Sequence, residues 1–115
     1  MKSSAYILDW TMNDYPLLLD QLKDHDFEFE KEKNKEHVNV IVPLSQIDEF
    51  SKIIQNHLNA PFNYVDIQYP AEKKTVLIFQ NKKFIIENKE QNDQVIKWAI
   101  DHGLPEKQAQ WGTSF

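Results

Sequence analysis

The spacing of apolar residues changes period several times along the chain, and each change predicts an element. Residues 5–10 (AYILDW) are apolar enough for a first strand, although the run is too short for its periodicity to assign inward and outward positions. Tyr15, Leu18, Leu19 and Leu22 then recur at helical spacing. They predict a helix over residues 14–23, capped by Asn13 or Asp14, with Pro16 tolerated in its first turn. Phe27 and Phe29, and after them Val38, Val40 and Val42, alternate with polar residues and predict a hairpin. A reversal at Lys33 and Asn34 sets Phe27 opposite Val40, Phe29 opposite Val38, Glu28 opposite Asn39 and Glu30 opposite His37. One face is then apolar and the other polar, a separation that a one-residue slip would destroy.

The strongest helical pattern covers residues 45–58. Ser45 with Asp48 three residues later has the form of a capping box, and Ile47, Phe50, Ile53, Ile54, His57 and Leu58 form the apolar stripe. Between residues 63 and 87 the period returns to two. Val65, Ile67 and Tyr69 lead to a turn at 70–73, residues 75–79 (TVLIF) form a solid apolar strand, and Asn81 with Lys82 reverses the chain into 84–87. Pairing about these turns places Val65 and Ile67 opposite Ile78 and Val76, with Ile85 on the same face. Tyr64, Leu77, Phe79, Phe84 and Ile86 gather on the other. A strand apolar on both faces must be covered on both, by helices on the two sides or by a second subunit.

A last helix begins between 88 and 92, with Val95, Ile96, Ala99 and Ile100 inward and Trp98 a fraction of a turn off that stripe. Gly103 suits a left-handed stop, Leu104 folds back on the helix, and Pro105 opens a short further turn. The order βαββ-α-βββ-α predicts one α+β domain over residues 1–115: a mainly antiparallel sheet with helices packed against it.

Composition narrows the chemistry. The chain has no arginine, no cysteine and two glycines, Gly103 and Gly112, while thirteen lysines carry its fixed positive charge. Thiol and zinc-thiolate sites are excluded, and no glycine-rich phosphate cradle can lie upstream of residue 103. A net charge of -5 without arginine argues against nucleic acid and anionic membrane as partners. No secretory n/h-region precedes Ala5, and no apolar run approaches the roughly 18 residues of a membrane span, so a cytoplasmic protein is expected. The excess of lysine, asparagine and isoleucine fits codon usage in an AT-rich bacterial genome.

Among individual residues, Asp66 is the most unusual, because the pairing sets it beside Leu77 on a face lined by Tyr64, Phe79 and Phe84. Such surroundings disfavour a carboxylate's charged form, which is one origin of a general acid or base. The plainer alternative has Asp66 and Gln68 facing solvent, or Asp66 accepting from a tyrosine. Glu28, Glu30 and His37, with His25 and Asp26 near, supply ligand types for Zn or Mn. They lack any established metal-binding spacing, and a solvated strand face is the commoner outcome, so no metal or cofactor is assigned. His57 is expected to be partly buried and hydrogen-bonded, and Asp101 with His102 to cap a helix or meet solvent. Trp98, Trp111 and Phe115 are candidates for an interaction surface, Trp98 also for the core. No nucleophile elbow or catalytic triad is legible. The reading that follows is a non-enzymatic binding or regulatory domain acting through a protein partner or self-association, in the manner of inhibitor and immunity proteins. The alternative is a small enzyme or small-ligand-binding domain with a pocket near Asp66 and Tyr64.

Overall fold

The computed structural model describes residues 3–30 and 36–115. Its strands are β1 (Ser4–Leu8), β2 (Glu28–Phe29), β3 (His37–Ile41), β4 (Tyr64–Tyr69), β5 (Lys74–Phe79) and β6 (Lys83–Ile86). Helix α1 (Tyr15–Asp24) follows β1, α2 (Ile47–Gln55) follows β3, and α3 (Lys89–Asp101) follows β6. The strands make one antiparallel sheet in the order β2-β3-β1-β4-β5-β6. This is the α+β order that the sequence predicts.

Both faces are covered by helices of the same chain. On the first face Leu18 and Leu22 of α1 and Phe50 and Ile54 of α2 pack on Ala5, Ile7, Val38, Val40, Val65, Ile67, Val76 and Ile78. On the second, Val95 and Ala99 of α3 pack with Leu77, Phe79 and Ile86. The register joining β4 to β6 is the expected one: Val65 lies opposite Ile78, Ile67 opposite Val76, and Val76 opposite Ile85. Asp14 caps α1, its carboxylate accepting from the N–H of Leu17 at 3.4 Å, and Pro16 sits in the first turn. Asp48 of α2 pairs with Lys83 of β6, whose hydrogen bond and charge hold that carboxyl below its ordinary value. No helix among the described residues is long and apolar enough to cross a membrane.

Three expectations are corrected. In the first hairpin Phe29, not Phe27, faces Val40, and Glu28 lies opposite Ile41. The shift is two residues, which preserves the apolar and polar faces and is therefore invisible to a period-two pattern. Its cause is Phe27. The chain turns through a left-handed Asp26 (φ 64), and Phe27 drops between the helices, its ring 5.5 Å edge-on from Phe50. Glu30 then donates its N–H to the Asn39 carbonyl at 2.9 Å, so the expected Glu30–His37 pair does not form. The reversal at Lys33 and Asn34 lies outside the described residues.

The Ser45–Asp48 capping box is also absent. A 3₁₀ turn over Leu44–Gln46 precedes α2, and no side chain caps the helix. In α3, finally, Ile100 points outward at 37% exposure, whereas Trp98 lies 4.9 Å from Phe79 and 5.0 Å from Phe84. Trp98 stands edge-on to both phenylalanines, a favoured geometry for aromatic rings.

Because β5 is buried on both faces, truncation on either should be costly. Ile78→Ala on the first face and Leu77→Ala on the second are each expected to lose about 2–5 kcal/mol. Ile85→Ala, on the half-exposed edge strand, should lose about 1 kcal/mol or less. Urea denaturation of the three variants checks the contrast.

Candidate functional site

Helix α3 and the segment after it cover only the β4-β5-β6 half of the second face. Across the sheet, the central row of this face runs Asn39, Tyr6, Asp66, Leu77, Phe84. Tyr6 pairs with Asn39, and Asp66 with Leu77, which in turn pairs with Phe84. Ala5 opposite Ile67 sets Tyr6 across from Asp66 one step along. Leu77 and Phe84 lie under α3; Asn39, Tyr6 and Asp66 lie beyond it, Tyr6 exposed and the other two partly buried.

Two clefts meet there, and Tyr6 and Asp66 line both. The smaller, about 290 Å³, is completed by Ser3, Ser4, Asn39, Gln68 and Pro70. The larger, about 480 Å³, is walled by Trp10, Phe62, Tyr64, Leu104 and Lys107 among others. Three of these aromatic side chains are exposed: Tyr6 at 48%, Trp10 at 66% and Phe62 at 37%. Large apolar side chains so close together on a folded surface are the unusual observation, since scattered exposed ones are ordinary.

Each aromatic is held by local structure. Tyr6 is the outward residue between the buried Ala5 and Ile7 of β1, and its ring lies 5.1 Å from that of His37. Trp10 sits on a 3₁₀ turn over Asp9–Thr11, where the Thr11 hydroxyl donates to Leu8 O at 2.7 Å. Asn59 Nδ2 donates to Trp10 O at 2.9 Å and ties that turn to the loop after α2. Phe62 leans on Gly103, where an added Cβ would meet its ring at 3.4 Å. Gly103 itself ends α3 at φ +106, with its N–H bonded to Ile100 O and that of Leu104 to Ala99 O. This is the left-handed stop expected for a C′ glycine, and it buries Leu104 at the base of the cleft.

The other wall is the chain beyond α3. Gln68 Nε2 donates to Gly112 O at 2.7 Å, while its Oε1 accepts from Thr75 Oγ1 at 2.7 Å and Ser114 Oγ at 2.6 Å. The Tyr64 hydroxyl donates to Gln108 O at 3.3 Å, and Trp111 Nε1 donates to Asn92 Oδ1 at 2.7 Å. Trp111 also stands edge-on to Tyr64 at 5.5 Å. These bonds fix the C-terminal segment as a ridge between the covered and open halves of the sheet.

The sequence-derived residues are thus distributed unevenly. Asp66 and Tyr64 come together in the larger cleft. Trp98 is half-buried in the second core, Trp111 is the strut that holds the ridge, and Phe115 is exposed beyond it. Near the hairpin, His25 bonds Glu49 of α2 at 2.7 Å, and no group of three or more potential ligands could hold a metal among the described residues. His57 is buried, with Nδ1 donating to Asn13 O at 2.7 Å and Nε2 2.8 Å from Gln21 Oε1, so it serves the joint between α1 and α2. Sequence reasoning missed Tyr6, Trp10, Phe62 and Asn39 as cleft residues. Tyr6 was detectable as the outward member of Ala5-Tyr6-Ile7; Trp10 and Phe62 lie on turns with no period to read.

Burial raises the Tyr64 hydroxyl above its ordinary 10.0, and the negative charge of Asp66 raises it further. A raised value means that the folded state favours the protonated phenol. The associated stability is fully present below the unfolded value, about 10, and is lost as pH rises through the folded one. Asp66→Asn should move the Tyr64 titration part of the way down while burial keeps it above the ordinary value. Ultraviolet titration of Asp66→Asn, with Tyr64→Phe to assign the signal, checks this; no movement would mean that the two groups do not interact.

No family model, curated protein or solved structure matches the chain, so what the cleft does must be argued from its own residues.

Proposed function

We propose that this protein is a non-enzymatic binding domain that takes a protein partner on the open half of its sheet. The observation that carries the reading is the exposed aromatic set, Tyr6, Trp10 and Phe62, around a half-buried carboxylate. Rigid aromatics at the centre of a recessed patch are the residues that dominate protein–protein affinity. The chemistry within the cleft supports binding over catalysis. The Thr11 and Tyr64 hydroxyls are already donated to Leu8 O and Gln108 O, and among the described residues neither is paired with a base.

The partner is a different protein. A two-fold contact between copies would turn the same patch on itself and bring the carboxylate-bearing clefts of two molecules, each of net charge -5, together. Like charges placed opposite one another oppose such an interface. A small ligand is the second reading, favoured by Asp66 and Tyr64 sharing one cleft of about 480 Å³, a volume within the range of small-molecule sites.

Photo-crosslinking in the native cell separates these readings. With a benzophenone amino acid at Trp10, the expected product is an adduct with one distinct protein, and the same probe at Lys97 of α3 should not give it. Tyr6→Ala should reduce that adduct about tenfold or more with little change in thermal stability. Adducts of doubled mass alone would replace the reading with self-association. No adduct at Trp10, together with a metabolite that raises Tm in wild type but not in Asp66→Asn, would replace it with the small-ligand reading.

A further inference from the structure

We infer that the cleft receives a single arginine side chain of its partner, with the guanidinium on Asp66 and its plane against Tyr6. This rests on the open sheet face being the docking surface. The first ground is the unused capacity of Asp66. A carboxylate offers about four acceptor positions. Among the described residues Asp66 receives one hydrogen bond, from Gln68 Nε2 at 3.3 Å. It sits partly buried between Tyr6 and Leu77 and lines both clefts, where a docked side chain reaches it. A charge-assisted, bidentate donor satisfies its acceptor positions best.

The second ground is the shape and charge around it. Among the described residues, Asp66 is the one charged residue lining the smaller cleft. Tyr6 lines the same cleft and stays 48% exposed, so it presents a ring on which a guanidinium stacks. Arginine suits this site better than lysine, because its planar fork matches a carboxylate and its weaker hydration lowers the cost of entry. Lys107 lines the larger cleft and makes no ion pair with Asp66 among the described residues. It repels a second cation, so the fitting segment carries one basic residue beside apolar ones rather than a polybasic run. A second copy of the chain cannot supply the group, because the chain contains no arginine.

The test is an NMR titration of the ¹⁵N-labelled full chain with the capped peptide acetyl-Gly-Leu-Arg-Leu-Gly-amide. Parallel titrations carry lysine or the uncharged isostere citrulline in place of arginine. The expected result is saturable shifts at the amides of Tyr6, Asn39, Asp66 and Gln68, weaker with lysine and weakest with citrulline. Asp66→Asn, which keeps the side-chain shape and the Gln68 contact, should weaken the arginine peptide at least about tenfold. Asp93→Asn, on the exposed surface of α3, should leave it unchanged. Three outcomes overturn the inference: equal binding of the citrulline peptide, binding unaffected by Asp66→Asn, or shifts spread over the acidic residues of α3. In each of them a persisting adduct at Trp10 would show that the face still docks a partner by other contacts. Loss of the Trp10 adduct would remove the docking surface itself.

Discussion

Burial of β5 on both faces is the constraint on which the remaining structure depends. Val76 and Ile78 point into one core and Leu77 and Phe79 into the other, all four without solvent exposure. A strand of this kind cannot sit at the surface of a two-layer domain, so the chain must place helices on both sides. Helices α1 and α2 do so on the first face from β2 to β5, leaving Ile85 of the edge strand β6 42% exposed. On the second face only α3 remains, and one helix of thirteen residues covers the half of the sheet where the apolar residues are.

The open cleft follows from that shortage of cover. The chain beyond α3 extends the second layer no further than Gln68 and Thr75, whose side chains hold Gly112 and Ser114. Past that ridge, β1 and β3 present Tyr6, Asn39 and His37, a mixed polar and aromatic surface that tolerates water. Gly103 acts at both ends of this arrangement. It stops α3 so that the following segment can turn back across the sheet, and the Phe62 ring packs beside it at the rim. Among the described residues Asp14, Asp26 and Lys73 also take positive φ, a conformation that costs more in these residues than in glycine.

What was legible in the sequence follows from which patterns have a unique solution. The pairing of β4, β5 and β6 was readable because short connections fix the register, and the position of Asp66 beside Leu77 came with it. The first hairpin was not, since alternation at Phe27 and Phe29 fits equally after a shift of two, and only the pull of Phe27 towards Phe50 decides between them. Ser45 has the residue type of a cap, but the chain leaving Pro43 enters a 3₁₀ turn first, and the cap position passes to Gln46. Trp10 and Phe62 were beyond reach for a different reason. They come from turns 52 residues apart, brought to one end of the sheet by the β1-β4 pairing and by the bonds of Asn59 to Trp10 and Thr11.

Gln68 and Asp66 are neighbours on the outward side of β4, and comparing them separates structure from site. Gln68 is fully used: both ends of its amide are bonded, to Thr75, Gly112, Ser114 and Asp66, and the C-terminal ridge hangs from it. Its identity is explained by the fold. Asp66 is not explained in that way. Its single bond among the described residues, at 3.3 Å, supports nothing beyond itself, and beside Leu77 an apolar or hydroxyl side chain would pair across the strands at lower desolvation cost. A position where the residue departs from what its surroundings favour, with no structural return, is where function is to be sought. The exposed rings around Asp66 are the same kind of departure. Two such departures in one cleft are the grounds on which we propose the site at Asp66 and Tyr6 rather than among the tryptophans of the second core.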